Sequence, residues 1–145
     1  MAKESSVPDK TPDKKKYEAF ISGLELRAIR LESCRGDFIR ESFADGGGKI
    51  SYTVDVGFED PRDSILEAVV TVRSRAKPLE TRKMCTKVDC TYVLTYVFDS
   101  EPDAAILKVF ARNVEMNVWP YARELIQNLT ARMAGPTLML PLRKQ

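Results

Sequence analysis

The side chains that most often carry enzyme chemistry are sparse in this 145-residue sequence. Its three cysteines, Cys34, Cys85 and Cys90, are odd in number and form neither a disulfide framework nor a Cys-x-x-Cys zinc site. There is no histidine, which removes Ser-His-Asp and Cys-His nucleophile activation and most transition-metal sites. Cys90 lies on the apolar face of a predicted strand, which favours a buried side chain over a reactive thiol. We therefore expect free thiols, no metal, no cofactor and no enzymatic activity.

Two further patterns suggest ligand chemistry, and each has a plainer explanation. Three glycines before Lys49 suggest a phosphate loop, but that motif needs Ser or Thr after the lysine and glycine at its first position, where Ile50 and Phe43 stand. Four acidic side chains near one turn could hold a hard cation: Asp55, Glu59, Asp60 and Asp63. Their spacing matches no metal-binding loop, so we interpret them as a solvated turn.

Apolar side chains at unexpected positions suggest binding rather than catalysis. Phe38 and Phe43 fall in a predicted crossing loop. Tyr52 lies on the strand that follows, and Leu138-Met139-Leu140 form an apolar stretch near the C-terminus. These residues could line a groove for extended apolar peptide, because methionines and flat aromatic rings accept many side chains. Burial in the protein's own core or in an oligomer interface would explain the same residues.

The bulk composition is that of one soluble domain. Hydrophobic residues make up 43% and charged residues 30%, and the net charge of +2 comes from dispersed basic residues, so no nucleic-acid partner is expected. No apolar run approaches the roughly 20 residues of a membrane helix, so we expect no membrane insertion. Met1 to Lys16 lacks the apolar stretch of a signal peptide, which predicts a cytoplasmic protein.

Two segments are predicted along the chain. Residues 1–16 are polar and proline-containing, which predicts a disordered N-terminal arm. Residues 17–145 form a single predicted domain. Alternating apolar side chains predict four strands in it, over Phe20–Leu31, Ile50–Phe58, Ser64–Lys77 and Val88–Phe98. Short turns between successive strands favour antiparallel pairing.

Two helices are predicted after the strands. Pro102-Asp103 opens the first, and Pro120 suits the first turn of the second because proline has no N–H to leave unpaired. Gly135-Pro136 ends the second helix. The predicted fold is α+β, a four-stranded antiparallel sheet with two C-terminal helices packed on one face, in an oligomeric protein.

A specific motif supports this prediction. Trp119-Pro120-Tyr121-Ala122-Arg123-Glu124 is similar to the Phe-Pro-Tyr-Ala-Arg-Glu string of the SecB family of protein-export chaperones. The helix after it and the Pro-x-Leu-x-Leu tail also resemble that family. Residues 50–76 and 86–98 resemble its central strands. The resemblance covers most of the chain.

The resemblance implies two surfaces and one partner contact. A client-binding groove would be lined by Phe38, Phe43, Ile50, Tyr52, Val54, Leu138 and Leu140. A dimer of dimers would use Val88, Cys90, Tyr92, Tyr121, Leu125 and Leu129. Asp89 falls near a place where the family offers an acidic side chain to the SecA motor.

The function implied is that of an ATP-independent holdase for unfolded or extended polypeptides such as preproteins. Export members of the family continue past the tail with a helix that lids the groove and a SecA-contacting segment, and they are strongly acidic. This chain ends at Gln145 and is slightly basic. These differences suit a dedicated chaperone of one client such as an antitoxin. A structural or assembly protein without chaperone activity is the remaining alternative.

Overall fold

The chain forms one helix, then a run of four strands, and then a second helix. A computed structural model describes residues 11–39, 48–78, 84–133, 135 and 137–143. The elements in these residues are α1 (Lys14–Ser22), β1 (Glu25–Phe38), β2 (Gly48–Phe58), β3 (Ile65–Pro78), β4 (Thr86–Val97) and α2 (Ala104–Ala131). The strands form one antiparallel sheet in the order β1-β4-β3-β2, so β1 and β2 are its edges. The predicted α+β class and its four-stranded antiparallel sheet are confirmed.

Alternation gives the sheet two chemically different faces. The even-numbered residues of β3 and β4 are buried: Leu66, Ala68, Val70, Val72, Ser74, Ala76, Pro78, Thr86, Val88, Cys90, Tyr92, Leu94 and Tyr96. Alternate residues of a strand point to opposite faces of the sheet, so these side chains share one inner face. The helix α2 covers that face. The outer face carries charged pairs. Arg73 bonds to Asp55, and Arg75 donates to Asp89 at 2.7 Å.

Two bulges extend β1 beyond the predicted strand. The prediction ended at Leu31, whereas β1 continues to Phe38. Its register against β4 shifts between Leu26 and Ala28 and again between Leu31 and Ser33. At each bulge β1 has one residue more than β4, which reverses the alternation of inward and outward side chains. The sequence of β1 therefore shows no single alternating apolar pattern from end to end.

The end of β1 passes directly beneath the end of α2. A Cβ added to Gly36 would lie 3.0 Å from Leu129 Cδ2 and 3.3 Å from Met133 Sδ. Glycine therefore allows the helix to approach the strand closely. Phe38, predicted in a loop, is instead the last residue of β1 and is half-buried.

A short helix occupies part of the predicted arm and of the predicted first strand. α1 begins at Lys14, and the side chain of Asp13 caps it by accepting the Lys15 N–H at 3.0 Å. Phe20, predicted to open a strand, is the fully buried anchor of this helix. This helix begins within the predicted arm of residues 1–16, of which residues 1–10 lie outside the described part. Phe20 is the one buried residue among the nine of α1, so the sequence shows no apolar stripe at helical spacing there.

One helix crosses the sheet where two were predicted. α2 is 28 residues long, and the Asp103 side chain caps it by accepting the Ile106 N–H at 2.8 Å. Pro120, predicted at a helix start, lies inside α2 with its side chain exposed. Proline in a helix interior costs about 3 kcal/mol, so packing must hold the two halves in line. Neither described helix is long and apolar enough to cross a membrane.

The buried side of α2 explains why the helix continues. Every fourth side chain is buried, namely Ile106, Phe110, Val114, Val118, Ala122, Ile126 and Thr130. In a helix of 3.6 residues per turn, this spacing rotates the buried line by about 40° at each step. The sheet therefore covers only part of the line, and residues 137–143 lie along its second half.

Phe110 is the centre of an aromatic cluster that joins four elements. Its ring centroid lies 5.3 Å from that of Phe20 on α1 and 6.2 Å from that of Phe58 on β2. The Tyr96 ring of β4 lies 5.1 Å away in an edge-to-face arrangement. This cluster fixes α1 and the first half of α2 to the sheet.

Truncating this ring should destabilise the fold strongly. Phe110→Ala should lower the free energy of unfolding by about 3–5 kcal/mol, because it leaves a cavity among three other rings. Val109→Ala, next in sequence but 44% exposed, should change it by less than about 0.5 kcal/mol. Urea denaturation of both variants measures the difference. A loss below about 1 kcal/mol for Phe110→Ala would contradict the role of the cluster.

Candidate peptide-binding groove

The sheet register separates two of the predicted groove residues. One row of inward positions crosses the sheet through Phe38, Thr86, Ala76 and Ile50. Three strand spacings, about 14 Å, lie between the two ends of this row. Phe38 is therefore at the β1 edge and Ile50 at the β2 edge. Phe43 lies outside the described residues.

Phe38 lies at the C-terminal end of α2 rather than beside β2. A Cβ added to Gly135 would overlap the Phe38 ring, so the two residues are in close contact. The ring is half-buried against the core. A contact of Phe38 with a client stays a prediction.

The edge strand β2 and the second half of α2 form an apolar groove. Ile50 is 38% exposed, and the next inward side chains of β2 are half-buried against the core: Tyr52, Val54, Val56 and Phe58. The Tyr52 ring lies 5.0 Å, centroid to centroid, from the ring of Trp119 on α2. The structure thus brings Tyr52 and Val54 together with a helix residue that the sequence did not assign to the site.

An extended segment of the chain itself fills the groove. We call residues 137–143 the strap. Leu138 and Leu140 are each only 1% exposed, whereas Met139 between them is 56% exposed. This alternation is that of a strand with one buried face. Leu138 and Leu140, predicted to line the groove, are therefore its buried occupants in this conformation.

Side chains of α2 hold the strap backbone. Arg123 Nε donates to the Leu140 carbonyl at 2.7 Å. Trp119 Nε1 donates to the Pro141 carbonyl at 2.9 Å. The strap thus runs antiparallel to the helix, with its carbonyls paired to side chains that the helix presents.

Thr130 anchors the other end of the strap. Its side chain is fully buried, and its hydroxyl donates to the Ile126 carbonyl at 2.7 Å. The same oxygen accepts the Leu138 N–H at 2.9 Å. Both polar groups are therefore satisfied away from water, which buried donors and acceptors require.

Arg143 closes the top of the groove. Its guanidinium carbon lies 4.5 Å from the centroid of the Trp119 ring and 5.7 Å from that of Tyr52. Both distances are within the range of cation–π attraction. Arg143 also forms an ion pair with Glu115 of α2. One side chain thus bridges β2 and α2 across the groove.

The predicted oligomer residues differ in accessibility. Val88, Cys90 and Tyr92 are buried beneath α2 within the single chain. The other three predicted residues lie on α2. Leu125 and Leu129 are partly buried against the same core, whereas Tyr121 is 52% exposed. A contact between copies through any of them stays a prediction.

Asp89 lies on the opposite side of the sheet from the groove. It occupies the outer face of β4, where Arg75 of β3 donates to it at 2.7 Å. Its side chain is therefore engaged within the protein. The predicted contact of Asp89 with a motor stays a prediction.

Cys90 is held in a strongly apolar environment. Burial raises the pKa of the Cys90 thiol from 9.0 to about 12, with smaller contributions from Cys34, opposite it on β1, and from Asp89. Burial likewise raises the pKa of the Tyr92 hydroxyl. The Cys90 environment thus favours a protonated thiol, unlike that of a nucleophilic cysteine.

The sequence missed the three α2 residues that hold the strap, which are Trp119, Arg123 and Thr130, and it also missed Arg143 of the strap itself. Trp119 and Arg123 belong to the motif that carried the family resemblance, which was a signal that they matter. Their hydrogen bonds go to backbone carbonyls, however, and no side-chain pattern in the strap reveals such a partner.

This chain superposes with a TM-score of 0.80 on the Mycobacterium tuberculosis Rv1957 SecB-like chaperone, which was solved with a ChAD peptide from the Rv1956 HigA1 antitoxin. The two are 17% identical over 91% of this chain and 99% of that one. The resemblance inferred from sequence is confirmed at the level of the fold.

Other comparisons add little. A Streptococcus agalactiae protein of unknown function has a TM-score of 0.46 and 8% identity, over 82% of this chain and 97% of that one. No protein-family model matches the chain, and no curated protein matches its sequence.

The raised pKa of Cys90 predicts a loss of stability at alkaline pH. Above pH 9.0 the unfolded chain ionises this thiol, whereas the folded protein keeps it protonated up to about pH 12. The free energy of unfolding should therefore fall between these values, by at most about 1.4 kcal/mol per pH unit from this group. Urea denaturation under reducing conditions over this range measures the slope.

Cys90→Ala is the matched variant for this experiment. It should show a shallower decline than the unaltered protein, while the Tyr92 contribution remains because its shift has the same sign. Equal slopes in the two proteins would contradict the assignment.

Proposed function

We propose that this protein is a SecB-like chaperone that binds an extended segment of one dedicated client, such as an antitoxin, without catalysing a reaction and without nucleotide. The observation that carries the proposal is the partly exposed inner face of β2. Ile50, Tyr52 and Val54 present apolar side chains there, beside the open edge of the sheet and the Trp119 ring. An extended client would place alternate side chains against such a face.

Binding would rest on burial and on backbone pairing. Each square ångström of apolar surface removed from water contributes roughly 25 cal/mol, which needs no reactive side chain. The free backbone groups of an edge strand can also pair with an added strand. A client held at several grooves of an oligomer would gain affinity through effective concentration. The dimer of dimers implied by the resemblance would supply such grooves.

The breadth of clients distinguishes two forms of the proposal. The superposed Rv1957 chaperone was solved with a peptide from one antitoxin, which supports a dedicated client here. The alternative is a general holdase for preproteins in the cytoplasm with SecA as a partner. The outer face around Asp89 carries basic neighbours, Arg75 and Lys87, and so offers no continuous acidic surface to a motor.

Ile50 and Ile65 provide a matched pair for testing the binding face. They are 38% and 41% exposed, but Ile50 faces inward on β2 and Ile65 outward on β3. Ile50→Ser should weaken binding of a client about tenfold, through loss of apolar burial, and Ile65→Ser should have little effect. Light scattering of a chemically unfolded model protein, diluted with each chaperone variant, measures the suppression of aggregation.

Equal suppression by both variants would mean that the inner face of β2 is not the binding surface. If the unaltered protein fails to suppress aggregation, tagged protein should be purified from its native host. A single stoichiometric small partner then supports a dedicated client, and its binding should be lost in Ile50→Ser. A broad mixture of precursors supports the general holdase. Recovery of neither would leave the structural or assembly alternative and contradict the proposal.

A further inference from the structure

We infer that the strap is an autoinhibitory occupant of the groove, and that a client binds by displacing it. This inference rests on the proposed function, because it concerns the same groove. The site would take an extended peptide with two apolar side chains two residues apart, since that is the pattern with which Leu138 and Leu140 fill it. The strap would then act as a tethered competitor for every client.

The burial of the strap is that of a bound peptide. Leu138 and Leu140 are buried, and the residues on either side of Leu140, Met139 and Pro141, are exposed. Only alternate side chains therefore contribute to the core. A client segment with the same alternation could make the same apolar contacts without any change in the sheet or in α2.

The polar contacts of the strap are few and come from α2. Among the described residues, Thr130, Arg123 and Trp119 bond to the strap backbone, and the strap itself forms no strand there. These side chains pair with backbone groups, which every peptide carries. Among the described residues no strand pairs with the outer edge of β2, which is therefore available to a client. The anchors of the strap are thus independent of its sequence and available to a replacement.

Arg143 covers part of the groove. Its guanidinium lies over the Trp119 and Tyr52 rings, which are the two aromatic side chains of the groove. Its ion pair with Glu115 holds it there. The covering side chain must therefore move before a client can reach either ring.

A tethered occupant weakens every competitor by mass action. The effective concentration of a segment joined by a short linker is on the order of mM. If the groove is open in only a tenth of molecules, the apparent dissociation constant of a client rises about tenfold. Loosening the strap should therefore strengthen client binding instead of weakening it.

The test uses the strap sequence itself as the probe. A fluorescent peptide Thr-Leu-Met-Leu-Pro-Leu-Arg, copied from residues 137–143, is titrated against full-length proteins and followed by anisotropy. Leu138→Ser/Leu140→Ser removes the two buried anchors. Met139→Ser/Leu142→Ser is the matched control, because those side chains are 56% and 76% exposed.

The first variant should bind the probe at least about tenfold more tightly than the unaltered protein. The matched control should bind like the unaltered protein. A probe with serine in place of its first two leucines should not bind, which excludes adhesion to a partly unfolded chain. Equal affinity in all three proteins, or binding of the serine probe, would overturn the inference.

A milder variant covers the case in which the first does not fold. Arg143→Gln leaves both leucines in place and removes only the covering charge. It should bind the probe about threefold more tightly, and unchanged affinity would overturn the inference. Circular dichroism shows whether Leu138→Ser/Leu140→Ser folds, and Arg143→Gln is used if it does not.

These outcomes are separable from those of the proposed function. The peptide titration needs no client, whereas the aggregation assay with Ile50→Ser needs no strap variant. Tight binding of the probe, with neither suppression of aggregation nor recovery of a client from the native host, would uphold the strap site and reject the chaperone. Suppression through Ile50 with equal probe affinities would do the reverse.

Discussion

The packing of α2 on the inner face of the sheet is the contact on which the other features depend. A sheet with one apolar face must bury it against another layer, and α2 supplies that layer with a side chain at every fourth position. This burial also keeps Pro120 inside a continuous helix, against a local cost of about 3 kcal/mol. The aromatic cluster at Phe110 and the groove at Trp119 are the two ends of this single interface.

One helix is too narrow to cover four strands. A helix with its side chains is about 10 Å across, whereas the outer strands of this sheet are about 14 Å apart. The central strands β3 and β4 are therefore buried on one face, and the edges remain partly open, as at Leu31, 46% exposed, and Ile50, 38% exposed. The partly exposed surfaces at Leu31 and Ile50 therefore arise because α2 is narrower than the sheet.

The two edges are completed in different ways. At the β1 edge, Phe20 of α1 is buried near one end and Gly36 lies under the end of α2 near the other. At the β2 edge the strap adds an extended segment that is held by side chains of α2. Both elements bury side chains in the core, but the strap is extended and its backbone pairs with side chains of α2, as that of a bound peptide would. This difference places the candidate binding site at the β2 edge.

The sequence by itself determined what depends on local periodicity. It predicted β2, β3 and β4, the helix start at Pro102-Asp103 and the SecB-like fold, because alternation, helix-start signals and a short motif involve neighbouring residues. Only the tertiary structure decided that β1 continues past Leu31 to Phe38, that α2 continues through Pro120, and that Leu138 and Leu140 fill the groove. Each depends on contacts between residues far apart in the chain. Such contacts can override local preference, and no local pattern encodes them.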